Sequence, residues 1–178
     1  MDYAWYTSLK NSADLQQGDL IPECPIVIPP NSYEQDKIAE IEIKEIDSIV
    51  LSQSCDLLHE KLEIVLVCPY YPLRTFIDRL PPDRNKSKEA VRKTIEELQK
   101  GNSPGYHLIN KDVNCFDDYQ VVDFKNVYGI HITTLKALIS SIETRYRLLP
   151  PYREHLSQAF ARYFMRVGLP QDIKIEGY

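Results

Sequence analysis

The sequence predicts an α+β fold: a small barrel or a strongly bent β-sheet, with a helical insertion and a C-terminal amphipathic helix. Three observations predict it. Short β-branched runs bounded by turn residues fill most of the first two thirds of the chain. A charged stretch over residues 73–103 carries helical spacing between two groups of strands. The clearest helical periodicity comes last, over residues 150–168, after strands have dominated.

The elements follow in order. Ser8 to Gln17 is polar and reads as a short helix or a loop. Gly18-Asp19 is a turn, and Leu20 to Ile28 a strand. Pro22, Pro25, Pro29 and Pro30 punctuate that strand, so it is expected at an edge or with a bulge. Ile38 to Ile46 alternates apolar and charged residues, as a half-buried strand does. Asp47-Ser48 reads as a tight turn. Ile49 to Leu51 and Leu62 to Cys68 are continuous apolar runs, the mark of central buried strands.

Leu73, Phe76, Ile77 and Leu80 fall on one helical face, and Pro81-Pro82 ends it. Ser87 to Lys100 spaces Val91, Ile95 and Leu98 helically, with Gly101 as the stop. Residues 105–109, 119–124 and 127–132 read as strands, 133–142 as a short helix and 145–149 as extended chain. Leu156, Ala159, Phe160, Tyr163, Phe164 and Val167 mark the apolar face of the last helix, and His155, Gln158, Arg162 and Arg166 its polar stripe. Asp172 to Tyr178 would add an edge strand.

The 178 residues are expected to form a single domain, 1–178. No apolar run is long enough to span a membrane. The first residues lack a basic region followed by an apolar stretch, so no signal peptide is expected. The four cysteines, Cys24, Cys55, Cys68 and Cys115, contain no C-x-x-C pair and are expected as free thiols in the cytoplasm. Cys24 and Cys68 read as small buried hydrophobes.

The net charge of −5 conceals an asymmetry. Residues 1–66 hold thirteen acidic against four basic side chains. Residues 145–166 hold five arginines, Arg145, Arg147, Arg153, Arg162 and Arg166, against the one acid Glu154. Either the halves neutralise one another inside the fold, or the basic stripe engages phosphate.

The chemistry-bearing cluster is Ser52-Gln53-Ser54-Cys55-Asp56-Leu57-Leu58-His59, at the end of an apolar strand. A catalytic reading makes Cys55 a nucleophilic thiol assisted by His59, with Asp56 beside them. Cys55 and His59 would share a face if a helical turn begins at a capping Ser54. The structural reading is a hydrogen-bonded turn in which Asp56 ties backbone N–H groups. Cys55, His59 and Cys68, with His107 or His131, lack the paired short spacings of zinc sites, so no metal or other cofactor is expected. No phosphate-binding glycine motif occurs. Twelve tyrosines stand against one tryptophan. Among them Tyr70, Tyr71, Tyr146 and Tyr152 are candidates to stack on bases or to fill a protein interface.

Three segments resemble the PemK/MazF-type toxin domain. Gly18-Asp19-Leu20-Ile21 is similar to its opening strand, Ile49-Val50-Leu51-Ser52 to its strand ending in Ser, and Ile64 to Pro69 to its strand ending in Pro. The resemblance covers roughly residues 18–72 and implies an SH3-like barrel with a C-terminal helix, in a toxin–antitoxin or defence setting. It also implies an endoribonuclease. Here Ile46-Asp47-Ser48 stands where the family places an arginine, and Tyr70-Tyr71 where it places a threonine or serine. An aspartate does not stabilise charge developing on phosphorus. The ribonuclease pattern is therefore not retained.

The leading expectation is a binding module for a protein partner or single-stranded RNA, acting through Ser52, Gln53, Ser54, Tyr70, Tyr71, Arg145, Arg147, Arg162 and Arg166, with a homodimer as one form it could take. The alternatives are an active ribonuclease or Cys-dependent hydrolase built on Cys55, Asp56 and His59, and a structural subunit of a larger complex.

Overall fold

A single long strand organises the molecule. The computed structural model describes residues 3–10, 14–32, 40–59 and 61–165. The strands are β1 (Tyr6–Lys10), β2 (Asp19–Ile28), β3 (Glu42–Val50), β4 (Ile64–Pro72), β5 (Tyr106–Ile109), β6 (Gln120–Asp123), β7 (Tyr128–His131) and β8 (Thr144–Leu148). The helices are α1 (Ser54–Leu58), α2 (Leu73–Asp78), α3 (Pro82–Asn85), α4 (Lys88–Gln99), α5 (Ile132–Ser141) and α6 (Tyr152–Phe164). The fold is thus α+β, with eight strands in one antiparallel sheet.

β4 is the central strand. On one side it pairs with β3, Ile49 opposite Cys68. On the other it pairs first with β7, Val67 opposite Tyr128, and then with β6, Tyr70 opposite Val122. β6 and β7 therefore run as one broken line along β4. The break is the turn at Asp123, whose carboxylate accepts the Lys125 N–H and an Asn126 Nδ2 hydrogen. The sheet order is β1-β8-β2-β3-β4-β6-β5, with β1 and β5 at its ends.

Strand alternation sends two apolar sets to opposite faces. Ile21, Val50, Val65 and Val67 pack with Leu57 of α1 and Leu135 and Ile139 of α5. Leu20, Ile49, Cys68, Tyr70 and Val122 pack with Phe124, Leu148 and Leu156 of α6. The insertion adds a smaller cluster in which Leu73, Phe76 and Leu98 cover Val121. As expected, Cys24 and Cys68 are fully buried.

Several expectations are corrected. Of the segment Ser8 to Gln17, expected as a short helix or a loop, Ser8 to Lys10 end a strand, β1, which pairs with β8, while residues 14–17 are loop. Asp47-Ser48 is not a turn but the middle of β3, because Asp47 Oδ1 accepts the Glu23 N–H across a bulge in β2. That bulge, at Pro22 and Glu23 (φ 48°), is the one the prolines announce. Pro82 opens the short α3 instead of only ending α2, since its missing N–H costs nothing in a first turn. Phe164 is exposed rather than on the apolar face of α6. Arg166, Val167, Gly168 and the edge strand expected over 172–178 lie outside the described residues.

A buried ion cluster fastens the N-terminal segment to β8. Asp19, fully buried, accepts from Arg145 Nε at 3.3 Å, from Arg147 Nη2 at 3.0 Å and from Arg147 Nε. Three further guanidinium N–H bonds reach the carbonyls of Lys10 and Asp14, and the Gln16 N–H also donates to the carboxylate. No buried side-chain nitrogen or oxygen among the described residues lacks a hydrogen-bond partner.

Candidate functional site

The polar cluster at residues 52–59 sits where the sequence places it, at the end of β3, but its members part company. Ser52 is buried and structural: its Oγ accepts the Leu66 N–H at 2.8 Å. The helical turn does begin at Ser54, yet Gln53 occupies the capping position without a side-chain bond. Ser54 Oγ instead accepts the Gln17 N–H at 3.1 Å. Cys55 and His59 are both exposed, and the bond joining them is between backbones, His59 N–H to Cys55 O at 3.2 Å. The Cys55 thiol faces Gln53 Oε1 at 3.7 Å. The Asp56 carboxylate lies 3.9 Å from Lys61 Nζ. Side-chain bonding therefore does not join a thiol, an imidazole and a carboxylate here. Because Cys55 is exposed, Cys55→Ala should change stability by no more than about 0.5 kcal/mol, as read by urea denaturation.

What α1 does face is the start of α6. Gln17 bridges them: its Nε2 donates to Leu51 O at 2.7 Å and to Ser157 Oγ at 3.5 Å. The result is a cleft of about 400 Å³ with Gln53, Ser54 and Cys55 on one wall and Arg153, Glu154, Ser157 and Gln158 on the other. Arg153 is held by Glu154, Nη2 to Oε1 at 3.0 Å. The cleft is lined almost entirely by amide, hydroxyl and charged groups, the equipment for reading polar edges.

A second groove, about 350 Å³, lies on the opposite flank of α6 against β5 and the end of α4. Leu98, Leu108 and Ile109 supply its apolar lining, and Trp5 and Tyr119 are its aromatic rings. Its ionisable groups are Lys100, His107, Tyr119, His155 and Arg162. No Asp or Glu is among the described residues that line it, although acids outnumber bases in the chain. Gln158 of α6 lines both grooves.

Burial, with His155 and Arg162 alongside, holds the His107 imidazole down at about 4, against an ordinary value near 6.5. It is neutral at pH 7, and its ring lies nearly parallel to Phe124, centroids 6.3 Å apart. The unfolded chain takes up this proton near pH 6.5 and the fold resists it down to about 4. Stability is full above pH 6.5 and falls as pH drops toward 4, by on the order of 3 kcal/mol. His107→Asn should flatten that dependence, measured as urea midpoints at pH 7 and pH 4.5.

The other expected binding residues are placed differently. Arg145 and Arg147 are not on an exposed stripe; they are buried on Asp19, as described above. Tyr70 is buried, its ring edge-on to Phe116. Tyr71 is half-buried with its hydroxyl 3.4 Å from Asp123 Oδ2. Tyr146 donates to Asn114 O at 2.6 Å. Tyr152 is already stacked on Trp5 at 3.5 Å. Of the predicted arginines, Arg162 is exposed in the second groove. His107 was legible only as a lone histidine in a strand, and no spacing in the sequence ties it to the last helix.

Among the described residues, no cluster of three or more His, Cys, Asp or Glu side chains is arranged to hold a metal ion. No described helix is long and apolar enough to cross a membrane. No family model, curated protein or solved structure matches this chain.

Proposed function

We propose that this protein is a binding module for single-stranded RNA, which lies across α6 with phosphates in the β5–α6 groove. The observation that carries the reading is the carboxylate-free lining of that groove in an acidic chain. Lys100 and Arg162 supply fixed charge, and His107 and His155 supply hydrogen-bonding nitrogens. Tyr119 gives a base-sized surface, and Trp5, whose one face Tyr152 covers, borders the groove beside it, a combination that binds single strands without demanding one sequence. The amide- and hydroxyl-lined cleft beside α1 then reads base edges through Gln53, Ser54, Ser157 and Gln158. The resemblance to the PemK/MazF-type domain supports the same ligand class. Binding without cleavage is the reading of choice, because among the described residues the Cys55 thiol faces Gln53 Oε1 and its one bond with His59 is between backbones.

The test is fluorescence anisotropy of a labelled mixed-sequence 20-mer RNA across a salt series, with product analysis on a gel. Two to three phosphate contacts predict a log–log salt slope of about −2. The RNA should remain intact. Cleavage lost in Cys55→Ala would establish the enzyme reading instead.

A protein partner is the second reading, favoured by one observation. Val27, Ile41 and Ile43 are exposed on the β2–β3 hairpin, with Val27 directly opposite Ile43. Three neighbouring apolar side chains on a projecting hairpin are a recognisable protein-contact surface. Failure of RNA binding, with capture of a partner that Ile43→Asp abolishes, would favour it.

A further inference from the structure

The helical insertion encloses a different cavity, about 610 Å³, against the ends of β4, β5 and β6. Two tyrosines line it, Tyr71 from β4 and Tyr106 from β5, and each carries a cation over its ring. Arg79 Cζ sits 4.8 Å from the Tyr71 centroid. Lys125 Nζ sits 4.5 Å from the Tyr106 centroid and 3.2 Å from its hydroxyl. The lysine is laid in place: its stem runs across Gly105, where a Cβ would come within 2.8 Å of Lys125 Cε.

The acids in this cavity are already committed. Glu97 pairs with Arg84 at 3.7 Å. Asp123 is buried and accepts from the Lys125 N–H, Asn126 Nδ2 and the Tyr71 hydroxyl. Arg79 and Lys125 thus rest on aromatic faces and not on carboxylates. A cation over an exposed ring is held more weakly than one bonded to a phosphate oxygen. An incoming phosphate would draw both cations from the rings and leave a tyrosine face for a planar group.

We propose that this cavity is a binding site for a nucleoside monophosphate, with Arg79 and Lys125 on the phosphate and Tyr106 or Tyr71 stacked on the base. Its volume falls within the range of small-molecule sites. It shares no residue with the groove proposed for RNA, so the two readings can fail separately.

Isothermal titration of the full chain with AMP, adenosine and inorganic phosphate tests it. AMP should bind, with adenosine and phosphate each at least about tenfold weaker, since each fragment keeps one half of the contacts. Arg79→Gln with Lys125→Gln should weaken AMP by at least about tenfold, and Arg162→Glu should leave it unchanged. Both cations are exposed, so these variants are expected to fold, and their melting curves check this. Absence of AMP binding at millimolar concentration, AMP binding unchanged in the double variant, or binding lost in Arg162→Glu would each overturn the proposal.

Discussion

Asp19→Ala is expected to destabilise the fold by about 3–5 kcal/mol, the largest effect of any single substitution considered, and to leave little folded protein at 37 °C. The carboxylate pairs with two buried guanidinium groups, and its removal takes the shared counter-charge from a low-dielectric interior. The carbonyls of Lys10 and Asp14 would remain as acceptors, but they carry no compensating charge. Asp19→Asn should be nearly as damaging, since an amide keeps the shape and loses the charge. Urea denaturation of wild type and both variants at pH 7 reads this directly. A cost below about 1 kcal/mol for Asp19→Ala would show that water reaches the cluster and that it is not the fastening described.

The second large effect concerns binding. Lys100→Glu combined with Arg162→Glu is expected to weaken RNA association on the order of 100-fold at physiological salt, about 2.7 kcal/mol. Both side chains are exposed in the β5–α6 groove, so the folded structure should tolerate the change. The salt dependence should flatten at the same time, because the counterions released by those contacts are no longer displaced. Arg145 and Arg147 belong to a different class: their substitution should fail through folding, not through lost phosphate contacts. Comparing melting curves with binding curves separates the two.

Much of the fold was legible because burial leaves a signature in the pattern. The runs 49–51 and 62–68 announced the central strands, and Pro22 announced the bulge. The cluster 52–59 lies at the end of β3 as its sequence position suggests, and Gln53, Ser54 and Cys55 of it line a cleft. Charge was the misleading signal. Five arginines in one stretch look alike in sequence, yet Arg145 and Arg147 sit on β8 opposite a carboxylate 126 and 128 residues away, while Arg162 faces solvent. Strand alternation alone does not reveal a long-range ion cluster. β1 was missed for a related reason: Tyr6-Thr7-Ser8-Leu9-Lys10 is bonded on one side and has only one buried side chain. His107 acquires its setting from α6, an element about fifty residues further on, so only tertiary structure brings it beside His155 and Arg162.

Cross-linking reports whether RNA lies across α6. The protein would be irradiated with a 4-thiouridine-containing single strand, digested, and the adducts located by mass spectrometry. Adducts are expected at Trp5 or Tyr119, or within 152–164, and should be lost in the Lys100→Glu, Arg162→Glu double variant. Adducts concentrated on the β2–β3 hairpin, or a pattern unchanged by the double variant, would contradict it.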